Sequence, residues 1–426
     1  MKKATVNFGK PVRAMKPQHC LSYASRTSGI NVAEMFEEME AEKLYTRIHA
    51  SYGGYGKSVN IPYIFRNFAA DAQDPAAYYF PQTDTVMADA TGIGAKIIYN
   101  LGGPREITLP RIYCTVPTDF EKWADVCVNI IRHYNEGWAD GFHYGVKYWE
   151  IWNEPDNPVF WENGTPEQYF EMYACAAKKI KALDPTLKVG GPALALLNEQ
   201  GLVFAEKFLA YVKENNLPLD FFSWHAVNES VDEIAYRAER INEIIAASGL
   251  ELEVIQDGWN CIDEHGDERT RFEHNRDAQG TAYGAAIMSV MQANDMDASM
   301  IYDFVCASQY SNLLNWHYDI QKPYYALKAF KKLYDLGEEV ESKGYGVYIT
   351  AARKNGKAAI LVTNYDAETT RCEILCKNFG ACKAVYYTLD ATRDLEKTKE
   401  ETYGADGVLA VQLRGYAAVL IELESV

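Results

Sequence analysis

A glutamate stands at the end of an aromatic stretch that reads Lys-Tyr-Trp-Glu-Ile-Trp-Asn-Glu-Pro over residues 147–155. The β-branched and aromatic residues predict a strand, and Pro155 ends it because proline has no amide hydrogen to donate. Glu154 is therefore expected at the carboxyl end of the strand, where α/β barrels carry their catalytic groups. A carboxyl group in that place can give a proton to a substrate oxygen or take one from it. The alternative is an ordinary strand with a surface glutamate at its tip.

Residues 148–157, Tyr-Trp-Glu-Ile-Trp-Asn-Glu-Pro-Asp-Asn, resemble the acid/base strand of the (β/α)8 retaining glycosidases, and within that clan they look most like glycoside hydrolase family 39. The resemblance implies a retaining, exo-acting hydrolase of β-linked sugars, with Glu154 as the acid/base and Asn153 bound to the sugar 2-hydroxyl. β-Xylosidase is the first expectation because that activity is common in the family. β-Glucosidase- or iduronidase-like activity stays open. Members of the family also carry a barrel followed by a β domain, which is the order that this sequence predicts.

The second carboxyl group of a retaining glycosidase lies about 5–5.5 Å from the first and attacks the sugar. The resemblance implies a Glu-Trp-Asn triplet at the end of the seventh barrel strand, but here Gly258 precedes Trp259 and Asn260. Asp257 is the neighbouring carboxylate. Because successive strand residues face opposite sides, Asp257 is predicted to face away from the substrate. A β-bulge, with which glycine is compatible, would re-aim it.

Three interpretations of Gly258 stay open. A deliberate exchange of a nucleophilic Glu for Gly would leave the acid/base and the sugar pocket intact, with little hydrolysis and with scope for glycosynthase activity. A natural relative would instead be inactive or substrate-assisted. In the third interpretation Asp257, on a bulge, is the working carboxylate. A protein of a different class is the alternative to all three, namely a carbohydrate-binding protein with a decayed glycosidase site.

Polar residues at two further predicted strand ends are candidates to surround the sugar. Thr-Arg-Ile-His at residues 46–49 resembles an Arg-Phe-His element of the family, which implies that His49 binds a sugar hydroxyl and Arg47 keeps the nucleophile ionised. Arg47 could instead pair with Glu150 inside the barrel, since buried charges are usually paired. His225 ends the sixth predicted strand, where family members carry a His, with core packing as the alternative. Val227 stands where those members often place a Tyr bonded to the nucleophile.

Aromatic residues near the last two barrel strands are candidates to stack on a sugar ring, namely Trp259, Tyr302, Trp316 and His317. Because the chain is rich in Tyr throughout, each of them could equally well pack in the core or on the surface.

Eight alternations of strand and helix predict that a closed parallel (β/α)8 barrel over residues 14–337 positions these groups. The strands are predicted at residues 19–25, 44–49, 95–100, the stretch ending at Glu154, 188–191, 220–225, 252–257 and 299–305. The loop at residues 50–82 is longer than a connector needs and is expected to wall a site. After residue 337 short strands with polar turns predict an antiparallel β-sandwich over residues 338–426, joined by an N-terminal strand from residues 1–13.

The composition limits the expected partners. A net charge of −17 argues against nucleic acid as a partner, and no apolar run approaches the ~20 residues that span a membrane. Nine dispersed cysteines and an N-terminus without an apolar leader region predict a reduced, cytoplasmic protein. The histidines show no ligand spacing, so neither a metal nor another cofactor is expected. Carbohydrate is the expected partner, and a homo-oligomer stays open.

Overall fold

The computed structural model describes residues 1–23, 30–49, 59–106, 110–111, 113–195, 198–227, 230–261, 273–304, 310, 313–315, 317–405 and 407–426. The chain divides into two compact units. One contains residues 21–226 and 239–258, and the other contains residues 1–20, 227–238 and 259–426.

The described residues form seventeen strands and nine α-helices. The strands are β1 (Lys2–Ala14), β2 (Cys20–Leu21), β3 (Tyr45–Ile48), β4 (Lys96–Leu101), β5 (Tyr148–Ile151), β6 (Lys188–Leu194), β7 (Phe221–Val227), β8 (Glu253–Asn260), β9 (Ala298–Ile301), β10 (Glu338–Tyr345), β11 (Tyr348–Lys354), β12 (Lys357–Asn364), β13 (Thr370–Lys377), β14 (Cys382–Asp390), β15 (Arg393–Tyr403), β16 (Val408–Leu413) and β17 (Ala417–Ser425). The helices are α1 (Ile30–Met39), α2 (Ile61–Ile64), α3 (Pro81–Gly92), α4 (Phe120–Glu136), α5 (Pro166–Leu183), α6 (Glu199–Glu214), α7 (Val231–Ser248), α8 (Ala278–Ala293) and α9 (Pro323–Leu336). Among them, no helix is long and apolar enough to cross a membrane.

An eight-stranded sheet forms the barrel, in the order β2-β9-β8-β7-β6-β5-β4-β3. The strands from β3 to β7 run parallel, each paired with the next along the chain. At the junction of the first and last strands in this order, the Tyr23 amide donates to the Arg47 carbonyl oxygen at 3.0 Å. The predicted (β/α)8 barrel is therefore confirmed.

Several barrel strands are shorter than predicted, among them β3, which covers residues 45–48 of the predicted 44–49, and β5, which ends at Ile151 rather than at Glu154. The first barrel strand, predicted at residues 19–25, is the two-residue strand β2, and residues 24–29 lie outside the described part of the chain. The eighth, predicted to run to residue 305, ends at Ile301. The loop predicted at residues 50–82 is described from residue 59, where it contains α2 and a 3-10 turn at Pro75–Ala77. Its role as a wall of the site stays a prediction.

The local sequence explains where α5, the helix that follows the Glu154 strand, begins. The Thr165 amide donates to the side-chain oxygen of Gln168 at 2.9 Å, and the Gln168 amide donates back to the Thr165 hydroxyl at 3.3 Å. This reciprocal pair is the capping box that Thr-Pro-Glu-Gln predicts. It satisfies amide groups that the first turn of a helix leaves without partners.

A second sheet is present, as predicted, and its nine strands are joined in the order β15-β14-β17-β12-β11-β10-β1-β13-β16. The division into a barrel over residues 14–337 and a β domain over residues 338–426 stays a prediction. The N-terminal strand β1 joins this sheet, pairing antiparallel with β10 and parallel with β13, so the sheet is mixed rather than purely antiparallel. Alternate residues of β1 face inward because Ala4, Val6 and Phe8 are apolar and buried. They share one hydrophobic core with apolar side chains of the C-terminal strands.

His19 lies directly before β2 and is fully buried in the same unit as α9. Its ring centroid is 5.7 Å from that of Phe330 and 5.1 Å from that of Tyr334, both on α9. Within the described residues, neither ring nitrogen has a hydrogen-bond partner. Burial, with a smaller contribution from the Lys331 cation, lowers the pKa of His19 to about 3.

The His19→Leu variant should be less sensitive to acid than the unsubstituted protein. The folded-state pKa of His19 lies below the unfolded-state value near 6.5. Between these two pH values His19 is protonated in the unfolded chain but not in the native state. This contribution to stability is fully present above about pH 6.5 and falls by about 1.4 kcal/mol per pH unit as the pH drops towards 3. Urea unfolding between pH 4 and 8 measures it, with the exposed His143→Leu as the control. Equal pH dependence in both variants would contradict the assignment.

Candidate active site

Glu154 lies just beyond the carboxyl end of β5, and its backbone turns sharply there. Trp152 has φ 68° and Glu154 has φ 48°, values in the left-handed region that non-glycine residues adopt at a cost. Three hydrogen bonds hold this turn. The Trp152 amide donates to the Leu101 carbonyl oxygen at 2.9 Å, the Glu154 amide to that of Ala193 at 3.0 Å, and the Trp152 indole to that of Phe160 at 3.0 Å. The two neighbouring strands thus fix the direction of the Glu154 side chain.

The Glu154 carboxylate is hydrogen-bonded through both of its oxygens. His225 Nδ1, from β7, lies 2.7 Å from Oε1, and the Asn157 amide group donates to Oε2 at 2.9 Å. The side chain of Glu154 is 16% exposed, whereas that of His225 is buried. These two contacts fix the direction of the carboxyl group, which places it to exchange a proton with a substrate.

His225 stands between two carboxylates. Its Nε2 lies 3.2 Å from Asp257 Oδ1, a bent ion pair, while its Nδ1 faces Glu154. A neutral imidazole carries only one N–H, so two facing carboxylates require both nitrogens to be protonated. Burial lowers the pKa of His225, but Asp257 and Glu154 outweigh it and raise the pKa to about 9. His225 is a cation at neutral pH.

Arg47, on β3, joins the strands from inside the barrel. Its Nη2 lies 2.5 Å from Glu150 Oε2 and 2.7 Å from Asn153 Oδ1, and its Nε lies 2.9 Å from Asp257 Oδ2. Glu150 belongs to β5 and Asp257 to β8, and neither strand neighbours β3, so these contacts cross the barrel interior. Arg47 therefore pairs with Glu150, as expected for a charge buried inside the barrel. Arg47 also contacts Asp257, the carboxylate on the strand where the sequence predicts a nucleophile.

The two carboxylates beside Arg47 have pKa values on opposite sides of their usual range. Burial raises the pKa of Asp257, but Arg47 and His225 outweigh it and lower the pKa to about 2. Burial, opposed by Arg47 and supported by the nearby Asp257, raises the pKa of Glu150 to about 7. Glu150 therefore takes up a proton before Asp257 does.

Asp257 points into the barrel, so the prediction that it faces away from the site is wrong. Trp259, two residues later, packs instead against Tyr283 and Gly284 of α8. Residues two apart on a regular strand share a face, so the alternation breaks between them, at Gly258. The Asp257 side chain is fully buried, however, and its carboxylate contacts Arg47 and His225 rather than solvent.

Gly258 lies close to the His225 ring. A Cβ atom at this position would meet His225 Cδ2 at 3.2 Å, a contact that requires a shift of a few tenths of an ångström. The backbone of Gly258 is outside the left-handed region, so the chain conformation itself does not demand glycine here.

The remaining predicted site residues have different surroundings. The His49 ring follows β3, and its centroid is 6.5 Å from that of His225. Trp259 is fully buried against α8, which leaves no face for a sugar in this structure. The Tyr302 ring packs at 5.1 Å on that of Tyr310, and His317 is exposed. Trp316 lies outside the described residues.

Sequence reasoning missed two asparagines of the site. Asn157 folds back onto Glu154 in a turn closed by its own amide, which donates to the Glu154 carbonyl oxygen at 2.9 Å. Asn100, at the end of β4, donates to Glu150 Oε2 at 2.8 Å. The spacing of Asn157, three residues after Glu154 in Pro-Asp-Asn, is the one signal that pointed to this turn. Within the described part of the chain, no cluster of His, Cys, Asp and Glu has the form of a metal site.

Replacing Arg47 by Met should destabilise the protein by about 3–5 kcal/mol, because it leaves buried carboxylates without their cation. Arg371→Met is the matched control, since Arg371 is exposed and its pair with Glu373 at 3.3 Å is worth at most about 1 kcal/mol. Urea unfolding of both variants at pH 7 measures the difference. Similar midpoints for the two variants would show that the buried contacts do not matter.

Comparisons with known proteins give one matching family profile and one shared fold. The profile of glycosyl hydrolases family 39 matches residues 108–340. A β-xylosidase of Geobacillus stearothermophilus is 28% identical over 176 residues, which make up 38% of this chain and 33% of that protein. A β-xylosidase of Caldicellulosiruptor saccharolyticus is 32% identical over 141 residues, 33% of this chain and 25% of that protein. The matches thus span about a third or less of these relatives.

Two solved structures share the fold over the whole chain. A glucosidase from Croceicoccus marinus superposes with a TM-score of 0.75 at 24% identity, covering 100% of this chain and 99% of that one. A monomeric β-xylosidase from Caulobacter crescentus gives a TM-score of 0.72 at 18% identity and covers 100% of both chains.

Proposed function

Because the chain belongs to glycosyl hydrolases family 39, we propose that its site is that of a retaining, exo-acting β-glycosidase in which Gly258 stands in the place of the nucleophilic carboxylate. One observation carries the proposal. Of the three carboxylates in the cluster, only Glu154 reaches solvent, while Asp257 and Glu150 are fully buried. A sugar in the mouth would therefore meet an acid/base group without a second accessible carboxylate of that cluster.

β-Xylosides are the substrate class proposed first. The two curated relatives described above are named β-xylosidases. Glu154 is proposed as the acid/base, Asn153 and His49 as groups that bind sugar hydroxyls, and Tyr302 and Trp316 as aromatic contacts. The barrel over residues 14–337 is proposed as the catalytic domain, and the nine-stranded sheet as an accessory domain. The enzyme is proposed to be cytoplasmic.

The ground-state contacts of Glu154 suit glycosyl transfer better than hydrolysis. In hydrolysis with retention, Glu154 must first carry a proton to the leaving oxygen while a nucleophile attacks C1. In transfer from an α-glycosyl fluoride, the carboxylate instead takes the proton of an acceptor hydroxyl. The acceptor oxygen then forms its bond to C1 as the C–F bond breaks, and fluoride leaves on the side of Gly258.

Two alternative roles for the site make different predictions. Asp257 would be the working carboxylate if it could reach the sugar, but its ion pair with Arg47 and its full burial weigh against this. A carbohydrate-binding protein with a decayed site would bind sugars and gain no hydrolysis from one substitution.

Gly258→Glu should restore hydrolysis of aryl β-xylosides with retention, by on the order of 10²-fold or more, because covalent catalysis is regained. The new side chain must displace the His225 ring slightly, since the Cβ contact is 3.2 Å. Gly258→Gln, of the same size but without charge, is the matched control and should stay inactive. The anomer released is read by NMR. No gain in Gly258→Glu over Gly258→Gln would favour the decayed site.

The unsubstituted chain should transfer sugar from α-xylosyl fluoride to an acceptor, and azide should partly rescue its cleavage of activated aryl β-xylosides. Both reactions use the space beside Gly258. Glu154→Gln should abolish the transfer, because an amide cannot take the acceptor proton. Product analysis by chromatography measures both reactions. If Asp257→Ala removes a substantial hydrolytic activity of the unsubstituted chain, Asp257 is the nucleophile and the proposal for Gly258 is wrong.

A further inference from the structure

We propose that Asp257 is a positioning residue that acts through His225, holding the imidazole as a cation whose Nδ1–H aims the Glu154 carboxyl group. The inference rests on the proposed function, since Glu154 is the acid/base group of that proposal. It gives a role to Asp257, to which the family resemblance assigns none, because that resemblance places the nucleophile at the next position, Gly258.

Donor counting carries the first step. Glu154 Oε1 and Asp257 Oδ1 lie 2.7 Å and 3.2 Å from the two ring nitrogens of His225. An ionised carboxylate has no hydrogen to donate, so a neutral ring would leave one nitrogen lone pair against a negative oxygen. The ring is buried, and water cannot relieve that repulsion. The imidazolium form is attracted to both carboxylates: its Nδ1–H makes the hydrogen bond to Glu154, whereas Nε2 forms an ion pair with Asp257 without hydrogen-bond geometry.

The charges that face His225 from the neighbouring strands support the same state. Glu154 follows β5 and Asp257 belongs to β8, and both are anionic partners. Arg47 on β3 opposes the charge on His225, but its guanidinium is itself neutralised by contacts with Asp257. His49, which follows β3, lies with its ring centroid 6.5 Å away. The nearest charges on the ring are therefore the two carboxylates.

The effect on Glu154 follows from its own bonds. Its two oxygens accept from His225 and Asn157, and these two contacts fix the direction of the carboxyl group. An acid/base group must lie within hydrogen-bond reach of the proton it transfers, so its direction decides whether it can act. Loss of the Asp257 charge would let His225 become neutral and would weaken the contact that aims Glu154.

The first test needs no change in the network. Protein labelled with 15N-histidine is titrated by NMR, and the His225 signals are assigned from the spectrum of His225→Gln. We expect both ring nitrogens of His225 to be protonated at pH 7.5 and to lose a proton with a pKa of about 9. A ring that is neutral at pH 7.5 would overturn the inference. This result decides the matter even if variants of Asp257 fail to fold.

The second test separates a positioning role from a structural one. Asp257→Asn keeps the shape but not the charge, and the midpoint of the His225 titration should fall by at least about one pH unit. The alkaline limb of the pH profile of transfer from α-xylosyl fluoride should move to lower pH by a similar amount, because the contact that aims Glu154 is lost when His225 loses its proton. Asp390→Asn is the matched control, because Asp390 is also buried and paired, with Arg393 at 2.9 Å in the nine-stranded sheet. That variant should leave both readouts unchanged.

The two proposals fail separately. A charged His225 in a chain that transfers no sugar would refute the proposed function and leave the role of Asp257 in holding that charge intact. Sugar transfer by a chain whose His225 is neutral at pH 7.5 would refute the role of Asp257 and leave the proposed function intact. Equal shifts in Asp257→Asn and Asp390→Asn would also overturn the positioning role.

Discussion

The buried guanidinium of Arg47 is the charge around which the barrel interior is arranged. A cation removed from water is costly unless anions surround it, and here Glu150 and Asp257 do so from two separate strands. Two carboxylates beside one cation leave an excess of negative charge. A proton on Glu150, whose pKa is about 7, and the cationic ring of His225 offset that excess. His225 in turn pairs with Glu154, whose side chain is the most exposed carboxylate of the cluster.

The repeating pattern of the chain made the fold predictable. Eight alternations of apolar strands with helices required a parallel barrel, and the alternating Ala4, Val6 and Phe8 indicated an N-terminal strand with one buried face. The pattern does not predict which strands that N-terminal strand pairs with, or in which direction. A strand with one apolar face can pair in either direction, and only the packing of the whole sheet makes β1 parallel to β13.

The candidate site was predictable to a lesser degree, because its decisive features are not periodic. Glu154 could be recognised from its position before Pro155, and Arg47 from the need to pair a buried charge. The position of Asp257 was predicted wrongly because alternation assumes a regular strand, and the strand is irregular at Gly258. The bridge from Asp257 through His225 to Glu154 joins residues distant in sequence, so a single sequence carries no signal for it. The left-handed turn at Trp152 and Glu154 is equally hidden, since neither residue type favours it.

The ordinary backbone at Gly258 has an evolutionary consequence. Glycine inside a strand lowers stability by roughly 0.5–1 kcal/mol relative to a residue with a Cβ atom, so exchange in either direction perturbs folding little. The close approach of a Cβ atom to His225 offsets part of that difference. Glycine and glutamate codons differ by a single base. A single base change can therefore introduce a Cβ atom here without straining the backbone, whereas the His225 ring and the burial of the position restrict which side chains evolution can keep there.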